Sequence, residues 1–327
     1  MFAGLALTAI LAISGVGLAQ VAWANAMGLS GLTLAIILGM VVGNTVFPHM
    51  AKQVSAGVDF SKSTLLKVGI VLFGFKITIQ EMIQVGWSGV VIAVLMVGLT
   101  FGLALGLGRL LRLDRQTAML IGAGSAICGA AAVIATESVV KGQAHKVTVA
   151  VATVVIFGTL AMFSYPWLYP VLNMTDQAFG VFVGSTVHEV AQVVAVGVAV
   201  NEAVASTAVI EKMIRVMFLA PFLMILSAFV ACPSAQGRRI AIPWFAALFI
   251  VMVGLNSLQI LPAGWVAFIV QLDAVFLAMA MAALGLRTRV SFLREAGLRP
   301  MLLATALFVF LVVGGYVVNL GVMGWLG

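Results

Sequence analysis

Residues 121–131 read Ile121-Gly122-Ala123-Gly124-Ser125-Ala126-Ile127-Cys128-Gly129-Ala130-Ala131. Gly122, Gly124 and Gly129 fall within one long apolar run. Each glycine weakens a helix interior by about 1 kcal/mol relative to alanine. Clustered, they predict a helix broken deep inside its apolar run. The second half would start with unpaired N–H groups at the positive end of a helix dipole, which is a site for an anion. Ser125 is placed to cap that half-helix through its hydroxyl, with Cys128 in its first turn. The competing reading is close helix packing through small residues. A nucleotide-binding glycine loop is excluded, because no strand precedes it.

The sequence around this stretch fixes its solvent. Of 327 residues, 63% are hydrophobic and 8% are charged, and the mean hydropathy is +1.22. Soluble domains carry about 25% charged residues, so most of this surface must face lipid. Lipid admits helices or closed β-barrels, since backbone groups must be paired internally. Barrel strands alternate in polarity over about ten residues, whereas this chain has long continuous apolar runs. An all-α polytopic membrane protein follows. The net charge of +7 does not point to nucleic acid, since the cations are scattered between apolar runs. Cys128 and Cys232 lie in separate apolar segments and suggest neither a disulfide framework nor a metal site. No cofactor motif is present.

A span needs about 20 apolar residues, which gives about eleven spans. They lie near 3–22, 29–47, 63–80, 86–107, 117–139, 147–171, 177–200, 205–231, 241–261, 266–286 and 299–325. Residues 1–22 lack the basic start of a signal peptide and read as a first membrane helix, although Ala22-Trp23-Ala24 resembles a cleavage site. Even-numbered loops and their flanking helix ends hold Lys52, Lys62, Lys67, Arg109, Arg112, Arg115, Arg238, Arg239, Arg287, Arg289, Arg294 and Arg299. Odd-numbered loops hold Lys76, Lys141, Lys146, Lys212 and Arg215. Twelve of the 17 cations are thus on one side, which predicts a cytoplasmic N-terminus and an external C-terminus. The spans parse as one extra helix (1–28) and two inverted five-helix repeats (29–173 and 174–327). The fourth helix of each set carries small residues, at 121–131 and at 278–285.

Other polar residues stand inside apolar runs. Glu189 lies near the middle of 177–200, where a charge costs roughly 2.5–3.5 kcal/mol. It is a candidate for proton coupling or substrate contact, against a structural role in helix packing. His188 and Gln192 would share one face of a continuous helix. His188 and Glu189 form no zinc motif, since a second histidine at helical spacing is lacking. Lys67 and Lys76 are nine residues apart in one span and are expected to snorkel to opposite ends. Asp273 and Asn256 are further candidates for solute or ion contact. Glu137 and Lys141 are spaced to pair. Glu211, Lys212 and Arg215 cluster early in the eighth span. Taken singly each reads as a helix-end or packing residue, and together with the others they give several intramembrane cations, a bias that fits an anion better than a cation.

Four stretches carry a resemblance. They are Leu66–Lys76, Gly122–Ala132 with Ser125-Ala126-Ile127-Cys128-Gly129, Thr186-Val187-His188-Glu189-Val190-Ala191-Gln192, and Met281–Leu286. Together they resemble the YeiH-like sulfate exporter family, along nearly the whole chain. The resemblance implies a fold related to the bile-acid symporters and sodium/proton antiporters, in which two broken helices cross near the membrane centre. It implies the fifth and tenth spans as that crossing pair. The family pattern has Arg where this chain has Lys67 and Lys76, which keeps the charge but loses the planar fork.

The expected function is secondary transport of a small anion, sulfate or an organosulfonate, coupled to protons or sodium. The substrate or ion site would draw on Gly124, Ser125, Cys128, Gly129, His188, Glu189, Gln192, Asn256 and Asp273. The expected surroundings are the lipid bilayer of an inner membrane and further copies of the chain. A passive anion channel is the alternative. An intramembrane enzyme would need Ser125 or Cys128 as nucleophile and His188 as base, and the spacing does not bring these together.

Overall fold

The computed structural model describes residues 1–21, 31–141, 143–230, 244–288 and 297–326. Every described element is helical. Among the described residues, five helices are long and apolar enough to cross a membrane: Phe2–Ala19, Ile79–Leu110, His145–Leu172, Ala263–Arg287 and Leu298–Trp325. The protein is therefore a multi-pass helical membrane protein. Residues 22–24 and Cys232 lie outside the described residues.

The chain forms two compact units, each drawn from three stretches of sequence. The first comprises Met1–Gln84, Gly197–Glu202 and Trp244–Val290. It contains α1 (Phe2–Ala19), α2 (Gly31–Asn44), α3 (Phe47–Phe60), α4 (Leu66–Phe73), α13 (Trp244–Ser257) and α14 (Ala263–Arg287). The small residues at 278–285 do not break α14, which runs unbroken to Arg287. This corrects the expectation of a broken tenth span. Their role is close packing: a side chain at Gly39 of α2 would run into the Ala282 carbonyl, and one at Gly285 into the Ile36 carbonyl. Backbones in contact recover dispersion energy that lipid cannot supply.

The second unit comprises Val85–Val196, Ala203–Pro243 and Ser291–Gly327. Its elements include α5 (Ile79–Leu110, entering from the first unit), α6 (Arg115–Ala126), α7 (Ala130–Val140), α8 (Ala144–Leu172), α9 (Asp176–Thr186) and α10 (Val190–Val200). They continue with α11 (Glu202–Met217), α12 (Leu219–Phe229), α15 (Leu298–Val309) and α16 (Gly315–Leu326).

The stretch 117–139 does not cross. Gln116 Nε2 donates to the Val140 carbonyl at 3.2 Å, and Lys146 Nζ reaches Asp114 Oδ1 at 2.8 Å. The two ends of the stretch therefore lie together, and α6 and α7 form a re-entrant helical hairpin with its tip at 127–129. Within it, a side chain at Gly124 would meet Val133 across the tip. Asp114 caps α6, accepting the Thr117 amide at 3.1 Å and the Thr117 hydroxyl at 2.6 Å.

A second hairpin follows from helix direction. Gly180 of α9 backs onto Val204 and Thr207 of α11, and Gly184 backs onto Ala208 and Glu211. The partners advance together, so α9 and α11 run parallel. The chain must return along α10 between them, with its turn at 187–189. The stretch 177–200 is thus neither one continuous helix nor a crossing, which corrects both of those expectations. His188 stands in the turn, so it shares no helical face with Gln192.

The clasp at the base of the first hairpin depends on pH. Partial burial raises the Asp114 pKa, but the Lys146 ammonium and the Thr117 donors outweigh it and hold it below the ordinary 3.8. A depressed carboxyl contributes stability above the unfolded value, and that contribution is lost as pH falls through the folded one. The Lys146 and Asp114 side chains are 17% and 46% exposed, so solvent screens the pair. Lys146→Met is therefore expected to cost only about 0.2–1 kcal/mol near neutral pH, and less below the folded Asp114 value, where its contact with Gln116 Oε1 at 3.1 Å remains. Denaturant unfolding of the two proteins, followed from pH 7 downward through the acid range, measures this.

Candidate functional site

The two hairpins enter from opposite ends of α8, whose 29 residues span about 43 Å at 1.5 Å per residue. Hairpin 1 opens beside the start of α8, and hairpin 2 begins just past its end. With 12 residues in α6 and 11 in α9, their depths are roughly 18 and 16 Å. The sum is close to the thickness of a hydrocarbon core, about 30 Å, so the tips meet near its middle.

Non-helical backbone at that depth must find partners inside the protein. Two cations of α11 provide them. Arg215 donates Nη2 to the Ser125 carbonyl at 2.6 Å and Nη1 to Ser185 at 2.7 Å and Val187 at 3.3 Å. Its Nε donates to the Ala126 carbonyl. Lys212 Nζ donates to the carbonyls of Ile127 at 2.8 Å, Val187 at 2.7 Å and His188 at 2.7 Å. Most of these carbonyls end α6 or α9 and carry the negative pole of a half-helix. Lys212 and Arg215 are fully buried, and each bridges both tips. All three ammonium protons of Lys212 are used.

The opposite pole is filled as well. At Gly129 the backbone has φ 70°, ψ −136°, and the residue precedes the first turn of α7. The Ala130 amide donates to Glu189 Oε1 at 3.3 Å. A carboxylate of the protein itself thus occupies the helix N-terminus that the glycine cluster predicted as an anion site. Ser125 lies inside α6, so it does not cap α7, and its carbonyl serves Arg215. Cys128 stands in the turn rather than in the first turn of α7. Gln192 Oε1 accepts the Glu189 amide at 3.0 Å and so holds the second tip.

Seven of the candidates converge here: Gly124, Ser125, Cys128, Gly129, His188, Glu189 and Gln192. Asp273 and Asn256 belong to the first unit. Asp273 is buried and pairs with Lys76 at 3.4 Å, so Lys76 does not simply snorkel, while Lys67 is exposed. Lys76 also borders a cavity of about 420 Å³ with Gln20 and Phe73. Asn256 donates to the Ile77 carbonyl at 2.9 Å.

The sequence marks Lys212, Arg215 and Glu211 as a charged cluster but does not place them among the site residues. Three charges within five residues of an apolar run, at a cost of a few kcal/mol each, were the signal. Sequence reasoning also missed Asn319, which donates to Ser185 Oγ at 3.0 Å, and Tyr165, which donates to Thr186 Oγ1 at 2.9 Å. Both steady the end of α9. Several buried polar atoms at the centre have no hydrogen-bond partner among the described residues: His188 Nδ1, Gln192 Nε2 and both Glu211 oxygens.

Paired re-entrant hairpins, joined at mid-depth by buried cations, define a multi-pass membrane protein with a polar centre cut off from lipid. The chain belongs to the family described as conserved hypothetical protein 698, which it matches over residues 3–304. It is 54% identical to the UPF0324 inner membrane protein YeiH of Salmonella typhi, over 97% of this chain and 93% of that one. It is 53% identical to the YeiH protein of Escherichia coli K12 over the same shares. A UPF0324 membrane protein of Yersinia pestis is 52% identical, over 97% of this chain and 91% of the relative. The YeiH relatives are inner membrane proteins by name, and this chain is a multi-pass protein of that kind. No solved structure matches it.

Proposed function

We propose that this protein is a secondary active transporter of a small anion, sulfate or an organosulfonate, coupled to protons or sodium and working in the export direction. The observation that carries the reading is the meeting of two hairpin tips from opposite ends of α8 at a buried polar centre. Discontinuous helices meeting at mid-membrane are how secondary transporters build a site reachable from either side in turn. The α7 N-terminus favours negative charge, and Glu189 occupies it as a built-in counter-anion. A substrate anion takes its place at the Ala130 amide, with His188 and Gln192 supplying uncommitted polar atoms.

The hairpins also sharpen the orientation. With 117–139 turning back, Lys141 and Lys146 join Arg109, Arg112 and Arg115 on one side. Lys212 and Arg215 are buried and so drop out of the loop count. The count supports a cytoplasmic N-terminus and an external C-terminus, with two of the eleven apolar stretches serving as hairpins rather than crossings. Reporter fusions at Gly327 are expected to be active only in exported form, and a cytoplasmic signal there would overturn the orientation.

Purified protein in liposomes is expected to move radiolabelled sulfate or a small sulfonate saturably, driven by an imposed proton or sodium gradient. Non-saturable flux indifferent to both gradients would make it a channel. No flux of any of these anions would sink the reading. Glu189→Gln removes the built-in competitor and is expected to lower the half-saturating anion concentration several-fold. An unchanged or higher value would make Glu189 a packing residue.

A further inference from the structure

Glu211 is fully buried, and neither of its carboxylate oxygens has a hydrogen-bond partner among the described residues. Its side chain lies between α5 and α9. A Cβ at Gly89 would stand 2.5 Å from Oε2, and one at Gly184 would stand 2.7 Å from the Glu211 Cβ. Gly89 of α5 and Gly184 of α9, which border it, bring no titratable group. The charged groups acting on it are Lys212 and Arg215 of its own helix. Glu189 and Cys128, from the tips, act on Lys212 in turn.

Arg215 is four residues on, the spacing at which a carboxylate and a guanidinium on one helix pair. They do not pair here. All three guanidinium nitrogens of Arg215 donate to tip carbonyls instead. An ionised carboxylate left bare in such surroundings would be very costly. A protonated one is tolerable, and it leaves Arg215 free to hold the tips.

We propose that Glu211 is a proton-binding site, and that its proton decides whether Arg215 holds the two hairpin tips together. With the proton on, Arg215 stays on the carbonyls of Ser125, Ala126, Ser185 and Val187. When the proton passes to water, the carboxylate draws Arg215 to its i,i+4 position. The carbonyls at the ends of α6 and α9 lose their donors, and the tips part. The site stands on its own geometry, and its use in coupling rests on the transporter reading above.

Two measurements on purified protein in lipid test the site without any transport. In an infrared pH titration, wild type is expected to show a protonated-carboxyl band that bleaches as pH rises. The component due to Glu211 is expected to be missing in Glu211→Gln and kept in Glu189→Gln and in Asp273→Asn, which removes the other buried carboxyl among the described residues. In hydrogen exchange of peptides covering 125–130 and 185–189, corrected for the chemical rate, wild-type opening is expected to rise by up to about tenfold per pH unit below the pH at which the band bleaches, the slope of one linked proton, and to level off above it. Glu211→Gln is expected to stay protected throughout, and Glu211→Asp to keep the slope with a displaced midpoint. The proposal is overturned if wild type has no titrating carboxyl band, which needs no variant to fold. It is equally overturned if Glu211→Gln follows the wild-type exchange profile. Absence of anion flux, with both results as expected, would remove the transporter reading and leave the proton site standing.

Discussion

Arg215→Met is expected to be the most damaging single substitution in the second unit. It removes four hydrogen bonds from a charged donor, each worth about 1.5–3 kcal/mol net, and leaves carbonyls of both tips unpaired at mid-membrane. The carbonyls will relax in part toward Lys212, so the single effects do not add. A loss on the order of 3–5 kcal/mol, typical of breaking a buried charged interaction, is expected. Arg215→Lys keeps the charge but loses the fork that reaches both tips and should fall between the two. Denaturant titration of the three proteins in lipid nanodiscs measures this. A methionine variant as stable as wild type would show that Lys212 alone holds the tips.

Gly129→Ala is expected to have the next largest effect. The backbone at φ 70°, ψ −136° lies where side-chain-bearing residues are strained, at a cost of about 1–3 kcal/mol. The added Cβ also overlaps Glu189 Cγ, so Glu189 must leave the Ala130 amide. The double variant Gly129→Ala with Glu189→Ala separates the two contributions, since it relieves the overlap and keeps the strain. It is expected to regain part of the lost stability. Equal stability of the single and double variants would show that the overlap costs nothing.

The glycine cluster told the truth about a break and misled about its consequence. Gly122, Gly124 and Gly129 lower the cost of leaving the helix, and the helix does end at Ala126. Whether the chain then continues across or turns back depends on Gln116 and Lys146 meeting partners 24 and 32 residues away, which no local pattern states. The small residues at 278–285 have a similar composition and stay helical, because α2 packs against their backbone. The break at 187–189 has no glycine in it at all. It is stabilised from outside, by Lys212 and Arg215 taking its carbonyls.

Hydropathy and charge scarcity by themselves determined that this chain is helical and lives in a bilayer, because the cost of exposed apolar surface and of unpaired backbone in lipid depends on composition and run length alone. They also marked most of the residues at the centre, since a polar group in an apolar run is costly wherever the fold carries it. Only the tertiary structure decided the direction of each apolar stretch, and which charges are topological signals and which are structural. Hydropathy reports depth, and a hairpin that returns has the same depth profile as a helix that breaks and continues. Lys212 and Arg215 looked like helix-end cations until the two tips they bridge came together, because the carbonyls that justify burying them belong to segments 24 to 90 residues away.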